Sequence, residues 1–324
     1  MDCLETARRL ADDVLFPAAL ATDAAEAVPV ELLDALADAG LYGLAAPREV
    51  GGLEVDFATV CAVQEALASG CLTTSFVWAQ HLGLVHSLAE STSAELRATW
   101  LPRVARGETR AGLALGGALP QPTLRAHRTA DGWLLDGSSP FLSGWGLIDV
   151  VHTAARTDDD DIVWLIVDAV EGPSLRVERL RLVALDATAT VRAVFDGLPV
   201  PAERMTASHP AGGETPPEVL RLHASLALGV AARCCRLLGP TALDAELDSL
   251  RAELDELGPG IAAARAAAGE LAVRAAAALM TAAGSRSLLL AEHAQRLARE
   301  ALFVLVYALR PASKQALLAR LGAA

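Results

Sequence analysis

The strongest constraint on this chain is a change of hydrophobic period partway along it. Between about residues 112 and 205 the apolar residues come in short runs split by turn-formers. On both sides they come in long alanine- and leucine-rich stretches with helical spacing. Residues 132–156, GWLLDGSSPFLSGWGLIDVVHTAAR, show the change most plainly. Trp133-Leu134-Leu135 and the run 148–155 are short enough for strands, and Asp136-Gly-Ser-Ser-Pro140 and Ser143-Gly-Trp-Gly146 read as turns between them. Residues 161–168, 174–180 and 190–195 add further strands. The fold class is therefore α+β, mainly α. An N-terminal helical domain is expected over residues 1–111, a middle β-domain over 112–205 and a C-terminal four-helix bundle over 206–324.

The helical segments carry their own punctuation. A leucine-rich stretch from Pro29 stops at Gly40, a usual C-terminal stop, and helices follow at 57–68 and 73–88. Ser91-Thr-Ser-Ala-Glu95 reads as a capped helix start. Beyond a proline- and glycine-rich linker at 210–217 come helical stretches at 218–238, 242–257, 261–283 and 294–309, with Gly258-Pro-Gly260 breaking the second from the third.

Composition narrows the partners. The net charge of −13, with no Lys/Arg-rich run, argues against nucleic acid and anionic membrane. No run of about 18 uncharged apolar residues points to a membrane span. The opening MDCLETARRLADDV has acids at once and no apolar core for a signal peptide. Five cysteines with no CxxC pair read as reduced, buried thiols, so the expected location is cytoplasmic. The run Asp158–Asp161 reads as a solvated hairpin tip, because consecutive residues of a strand point to opposite faces and do not converge on a metal. His81, in an apolar helix, reads as a core histidine or as a group facing a substrate.

Several strings in a fixed order resemble the acyl-CoA dehydrogenase family of flavoproteins. Residues 36–52, LADAGLYGLAAPREVGG, resemble its first-domain signature. Glu65-Ala-Leu-Ala68 and Leu101-Pro-Arg-Val-Ala-Arg-Gly107 follow as they do in the family. Asp131 to Gly137 resembles its DGxxxxG string, and Phe141-Leu-Ser143 stands where the family has an aromatic-Ile-Thr/Ser flavin contact. FDGLPVPAER at 195–204 resembles the string leaving the sheet, and LAREA at 297–301 the helix near the C-terminus. The resemblance implies an acyl-CoA dehydrogenase-like fold with FAD between the middle and C-terminal domains. It implies oxidation at a CH–CH bond of an acyl-CoA thioester: a glutamate takes the α-proton and the flavin takes the β-hydride. Phe141, Leu142 and Ser143 would contact the flavin, Leu115 and Gly116 would offer backbone to the ring edge, and Arg286 would meet the pyrophosphate.

Departures from the family fall on the chemistry. Where it commonly has Tyr-Glu-Gly-Thr this chain has Tyr307-Ala-Leu-Arg310, so the base position is Ala308; the alternative base position, on the first helix of the C-terminal domain, is Ser225. Neither is a base, and no catalytic residue is assigned. The Thr-Glu-Pro…Gly-Ser-Asp loop is replaced by Gly116-Gly-Ala-Leu-Pro-Gln-Pro-Thr123, which thins the FAD anchors. A degenerate, shortened member of this kind resembles the weaker subunit of an α2β2 heterotetramer in fatty acid or steroid side-chain β-oxidation, with FAD held mainly by a partner. The other readings are self-association, a self-sufficient flavin-dependent monooxygenase suggested by Pro140-Phe-Leu-Ser-Gly144, and a non-catalytic structural paralogue.

Overall fold

A computed structural model describes residues 2–323. The chain opens with helix α1 (Cys3–Leu10), a π-helical turn at Ala11–Leu15 and α2 (Phe16–Asp23). Then come α3 (Val30–Asp38), α4 (Phe57–Gly70), α5 (Leu72–Ala89) and α6 (Ala94–Ala105). Asp56 caps α4 by accepting from the Thr59 amide, and Ser93 caps α6 from Leu96, so two orphan donors of these first turns are satisfied. α4 and α5 are apolar on nearly every face because they lie between other layers rather than on the surface.

Strands β1 (Ala111–Ala114), β2 (Leu124–Arg128), β3 (Gly132–Leu142), β4 (Val150–Thr157), β5 (Asp161–Asp168), β6 (Leu175–Arg179), β7 (Val191–Pro201) and β8 (Met205–Pro210) form one sheet. Its order is β6-β7-β3-β2-β4-β5-β8, with β1 parallel to β4 off that path. β4 is buried along its whole length, its polar His152, Thr153, Arg156 and Thr157 included, as befits a strand in the middle of the sheet.

The turn expected at Asp136–Pro140 does not form. β3 runs straight through it, antiparallel to β7, with irregularities between Leu135 and Gly137 and between Ser139 and Leu142. Gly137 has a φ of +119°, and a Cβ there would collide with the Thr123 carbonyl. The turn-forming residues are spent on bulges, where the extra residue leaves the ladder and Pro140 costs little hydrogen bonding. The aspartate run does turn the chain, between β4 and β5, with Asp160 paired to Arg156 at 2.7 Å and Asp158 to His127 at 3.2 Å.

The C-terminal region comprises α7 (Pro217–Leu238), α8 (Ala242–Asp255), α9 (Ile261–Ala283), α10 (His293–Val306) and a further short helix, α11 (Pro311–Arg320). α9 and the turn after it, residues 261–288, are long and apolar enough to cross a membrane. Half of that window is buried inside the protein, as in the core helix of a bundle. Gly229 lets α7 lie directly on α4: a Cβ there would stand 2.5 Å from the Glu65 carbonyl oxygen. That close approach joins the N-terminal helices to the bundle.

Candidate functional site

Two constellations contain the family-implied positions other than Ser225 and Arg286. The first lies where β1 and β3 run side by side. A Cβ on Gly112 would stand 3.0 Å from a Leu142 methyl and 3.1 Å from the Ser143 carbonyl oxygen. One on Gly116 would stand 2.6 Å from the Ser138 carbonyl oxygen. Leu115 and Gly116, just past β1, therefore lie beside the Ser138 stretch of β3, while Gly112 lies beside Leu142 and Ser143. Strand alternation turns Phe141 outward, 64% exposed, and Leu142 into the core at 0%. An exposed aromatic face thus sits beside a buried, functionalised strand end.

Ser143 is tied to a loop the sequence did not single out. Its Oγ lies 2.7 Å from Thr190 Oγ1, Thr190 Oγ1 lies 2.8 Å from Thr188 Oγ1, and Thr188 donates to the Leu185 carbonyl at 2.7 Å. The Gly144 amide adds a 2.7 Å bond to the Thr188 carbonyl. Leu185 and Ala189, on either side of this turn, hold left-handed φ values of +58° and +51°. A non-glycine residue there costs about 1–3 kcal/mol, a cost the hydroxyl and backbone bonds offset. The spacing Thr188-Ala-Thr190 is the only sequence sign of this network, and it is too common to read alone.

The second constellation surrounds Tyr307, at the end of α10. Its ring lies edge-on to Phe76 at 4.9 Å and to His223 at 5.2 Å, and stacks on Phe303 at 5.5 Å. Phe76 belongs to the same apolar cluster as Leu185, so the two constellations adjoin. Arg265, 1% exposed, donates from Nη2 to the carbonyls of Val304 at 2.8 Å and Tyr307 at 3.0 Å, closing the negative end of α10. Burial lowers the Arg265 pKa to about 10. Burial, reinforced by the charges of Arg265 and Arg310, lowers that of His223 to about 3, so the imidazole is neutral. Burial raises the Tyr307 phenol. The charges acting on Tyr307 and His223 are arginines; no carboxylate is among them. Ala308, at the expected base position, has a φ of +50° and ends the helix.

Ser225 is fully buried and committed. It accepts from Arg221 Nη1 at 2.7 Å and donates to the Arg221 carbonyl at 3.2 Å, while Arg221 pairs with Asp255 at 2.7 Å. Glu218 is exposed on the first turn of α7. Glu270 is paired with Arg274 and Arg320, and Glu292 with Arg286. Arg286 itself is 77% exposed on the turn after α9, and its guanidinium goes to Glu292 at 2.6 Å. It is not brought to the β1–β3 residues by any recorded bond among the described residues. His81 uses both ring nitrogens, Nε2 toward the Val104 carbonyl at 3.0 Å and Nδ1 as acceptor from the Ala111 amide at 3.1 Å. Its role is to tie α5 to β1, and the substrate-facing alternative is overturned. The buried pair Arg296–Glu300, at 2.5 Å, was not foreseen, because an i,i+4 pair looks the same in sequence whether buried or exposed.

Residues 2–108 match the family described as acyl-CoA dehydrogenase, N-terminal domain. A curated relative, (2S)-methylsuccinyl-CoA dehydrogenase of Cereibacter sphaeroides, is 29% identical over 158 residues, covering 47% of this chain and 29% of that protein. Across three such relatives, that one included, the chain spans 29% to 53% of their length. Among solved structures, a glutaryl-coenzyme A dehydrogenase in complex with glutaryl-CoA superposes with a TM-score of 0.85 at 19% identity, over 99% of this chain and 95% of that one. The dibenzothiophene monooxygenase of Paenibacillus sp. A11-2 superposes with a TM-score of 0.78 at 18% identity, over 97% and 95%. Residues 2–108 thus match the acyl-CoA dehydrogenase N-terminal domain, and the whole chain shares the three-part fold of the solved acyl-CoA dehydrogenases, in agreement with the collinear strings.

Proposed function

We propose that this chain is an oxidoreductase subunit of acyl-CoA dehydrogenase type, acting on an acyl-CoA thioester with FAD, and that a partner chain supplies the catalytic base and the phosphate end of the cofactor site. The observation that carries this is at Ala308. The family's base position has no carboxylate, its surroundings are cationic, and the alternative position, Ser225, is locked onto Arg221.

The residues present fit one end of FAD and not the other. Phe141 offers an exposed aromatic face and Ser143 a hydroxyl, while Leu115 and Gly116 offer main chain farther back along β3, beside Ser138. For the diphosphate, Arg286 would have to leave Glu292, and no other cation of this chain is assigned to that end. Bound here, FAD supplies the hydride acceptor. What this chain contributes is a dry, apolar wall through Phe76, Phe303 and Tyr307, and a hydroxyl in fixed geometry at Ser143. The α-proton then has to leave through a carboxylate contributed by the partner.

The test is dehydrogenation of a panel of acyl-CoA thioesters by this chain, by an acyl-CoA dehydrogenase-like partner, and by the two co-expressed. Activity that rises to a 1:1 ratio and vanishes when the partner's glutamate is changed to glutamine is the expected result. A partner fully active without this chain would leave it a structural paralogue. A second reading, a self-sufficient monooxygenase, draws on the same missing base and on the Pro140-Phe-Leu-Ser-Gly144 string. Oxygen consumption by the chain alone with reduced flavin would favour it.

A further inference from the structure

The hydroxyl chain at Ser143 has a fixed direction, and proton counting sets it. Thr188 has one hydroxyl proton. The Leu185 carbonyl, 2.7 Å away, can only accept, so that proton is used there. The 2.8 Å contact between Thr188 and Thr190 must then be bridged by the Thr190 proton. With that proton used, the 2.7 Å contact between Thr190 and Ser143 must be bridged by the Ser143 proton. Reversing the chain would leave the Thr188 hydroxyl oxygen facing the Leu185 carbonyl oxygen, and reversing one link alone would leave two of these oxygens facing each other, at bonding distance with no hydrogen between them, in a region where Thr188 and Thr190 are 1% and 2% exposed. Ser143, at 8% exposed, keeps only lone pairs for anything outside the protein.

We infer that the Ser143–Thr190–Thr188 chain makes Ser143 an obligate hydrogen-bond acceptor, so that the ligand group seated on it is an N–H donor. Thr188 and Thr190 are then positioning residues that make the site favour reduced over oxidised flavin. This rests on the FAD reading above. An oxidised isoalloxazine presents acceptors along most of its polar edge, while reduction converts one of its ring nitrogens from acceptor to N–H donor. A serine free to rotate would serve both states. One whose proton is held inward serves the reduced state and meets the oxidised ring lone pair to lone pair.

The experiment has two arms on the full chain, purified with its partner where the partner is needed for loading. In the first, neutron diffraction of deuterium-exchanged, flavin-free crystals locates the three hydroxyl deuterons. The expected positions are Ser143 toward Thr190, Thr190 toward Thr188 and Thr188 toward Leu185. A Thr190 deuteron on the Ser143 side overturns the inference. In the second, dissociation constants for oxidised FAD and for FAD reduced with dithionite are compared in the wild type and in Thr190→Val and Thr188→Val, with circular dichroism as the folding control. Either valine releases the Ser143 proton. The preference for reduced FAD is expected to fall about tenfold, a drop in midpoint potential of about 30 mV for a two-electron couple. Folded variants with an unchanged ratio overturn the inference even where both lose thermal stability. Absence of flavin binding in every arm overturns the cofactor reading instead, and the deuteron positions then decide the polarity alone.

Discussion

Arg265 reaches from α9 across the end of α10 and donates to the carbonyl oxygen of Tyr307 at 3.0 Å, one residue before Ala308. A buried guanidinium thus fixes the helix end where the family's base would stand, and among the described residues no carboxylate pairs with it. The same arginine bonds the Val304 carbonyl at 2.8 Å. Arg265→Lys keeps the charge but shortens the side chain by one atom, withdrawing the single nitrogen, Nη2, that bonds both carbonyls. Urea unfolding is expected to show a loss of about 1.5–3 kcal/mol. Near-neutral behaviour would mean that the cap contributes nothing.

Three histidines drawn out of water on folding, His81 and His152 fully and His223 in large part, set the acid limb of stability. Burial lowers His81 to about 4, and His152 and His223 to about 3. In the unfolded chain each titrates near 6.5, so between that value and the folded values the unfolded state holds more protons. Stability therefore rises with pH across this window and is lost as pH falls below about 6.5. Unfolding at pH 5 is expected to take up about three protons from this group, a slope of about 1.4 kcal/mol per proton and pH unit. Urea titrations at pH 7, 6 and 5 read the slope, and a flat profile contradicts burial in the neutral form.

Arg296 and Glu300 are 1% and 3% exposed and pair at 2.5 Å within α10. Arg296→Met leaves Glu300 buried without its ion-pair partner, at an expected cost of about 3–5 kcal/mol. The double variant Arg296→Met with Glu300→Leu is expected to recover most of that loss, because it removes both desolvation costs. A double-mutant cycle checks it; equal losses in the single and double variants would assign the effect to packing.

Gly229→Ala pushes a methyl to within 2.5 Å of the Glu65 carbonyl oxygen, where backbone meets backbone and neither side can rotate away. A loss of about 1–3 kcal/mol is expected, as for overpacking elsewhere. Limited proteolysis should cut first between the N-terminal helices and the bundle. An unchanged midpoint in thermal unfolding would show that α7 and α4 part at little cost.

Much of this architecture was legible because it rests on period and punctuation. The change of period near residue 112, Gly258-Pro-Gly260 and the stop at Gly40 announce their elements locally. The Asp136–Pro140 stretch misleads because glycine and proline serve bulges as well as turns, and only pairing with β7 decides between them. α11 is faint because it is only ten residues long and carries just two large apolar residues, Leu317 and Leu318. At the candidate site, Phe141 and Ser143 were found through family strings, whereas Thr188, Thr190, Arg265 and His223 were not. Their meaning comes from contacts between residues tens of positions apart, such as Ser143 with Thr190 or Arg265 with Tyr307. No local pattern records those.

The account turns on whether this chain is complete as an enzyme, and the visible absorption spectrum of the purified protein tests that most directly. It should be recorded for the chain alone and after co-expression with an acyl-CoA dehydrogenase-like partner chain. The predicted result is a colourless, inactive chain and a yellow complex that is bleached by an acyl-CoA substrate. A chain that alone carries stoichiometric flavin, bleached by an acyl-CoA at a catalytic rate, would contradict the account.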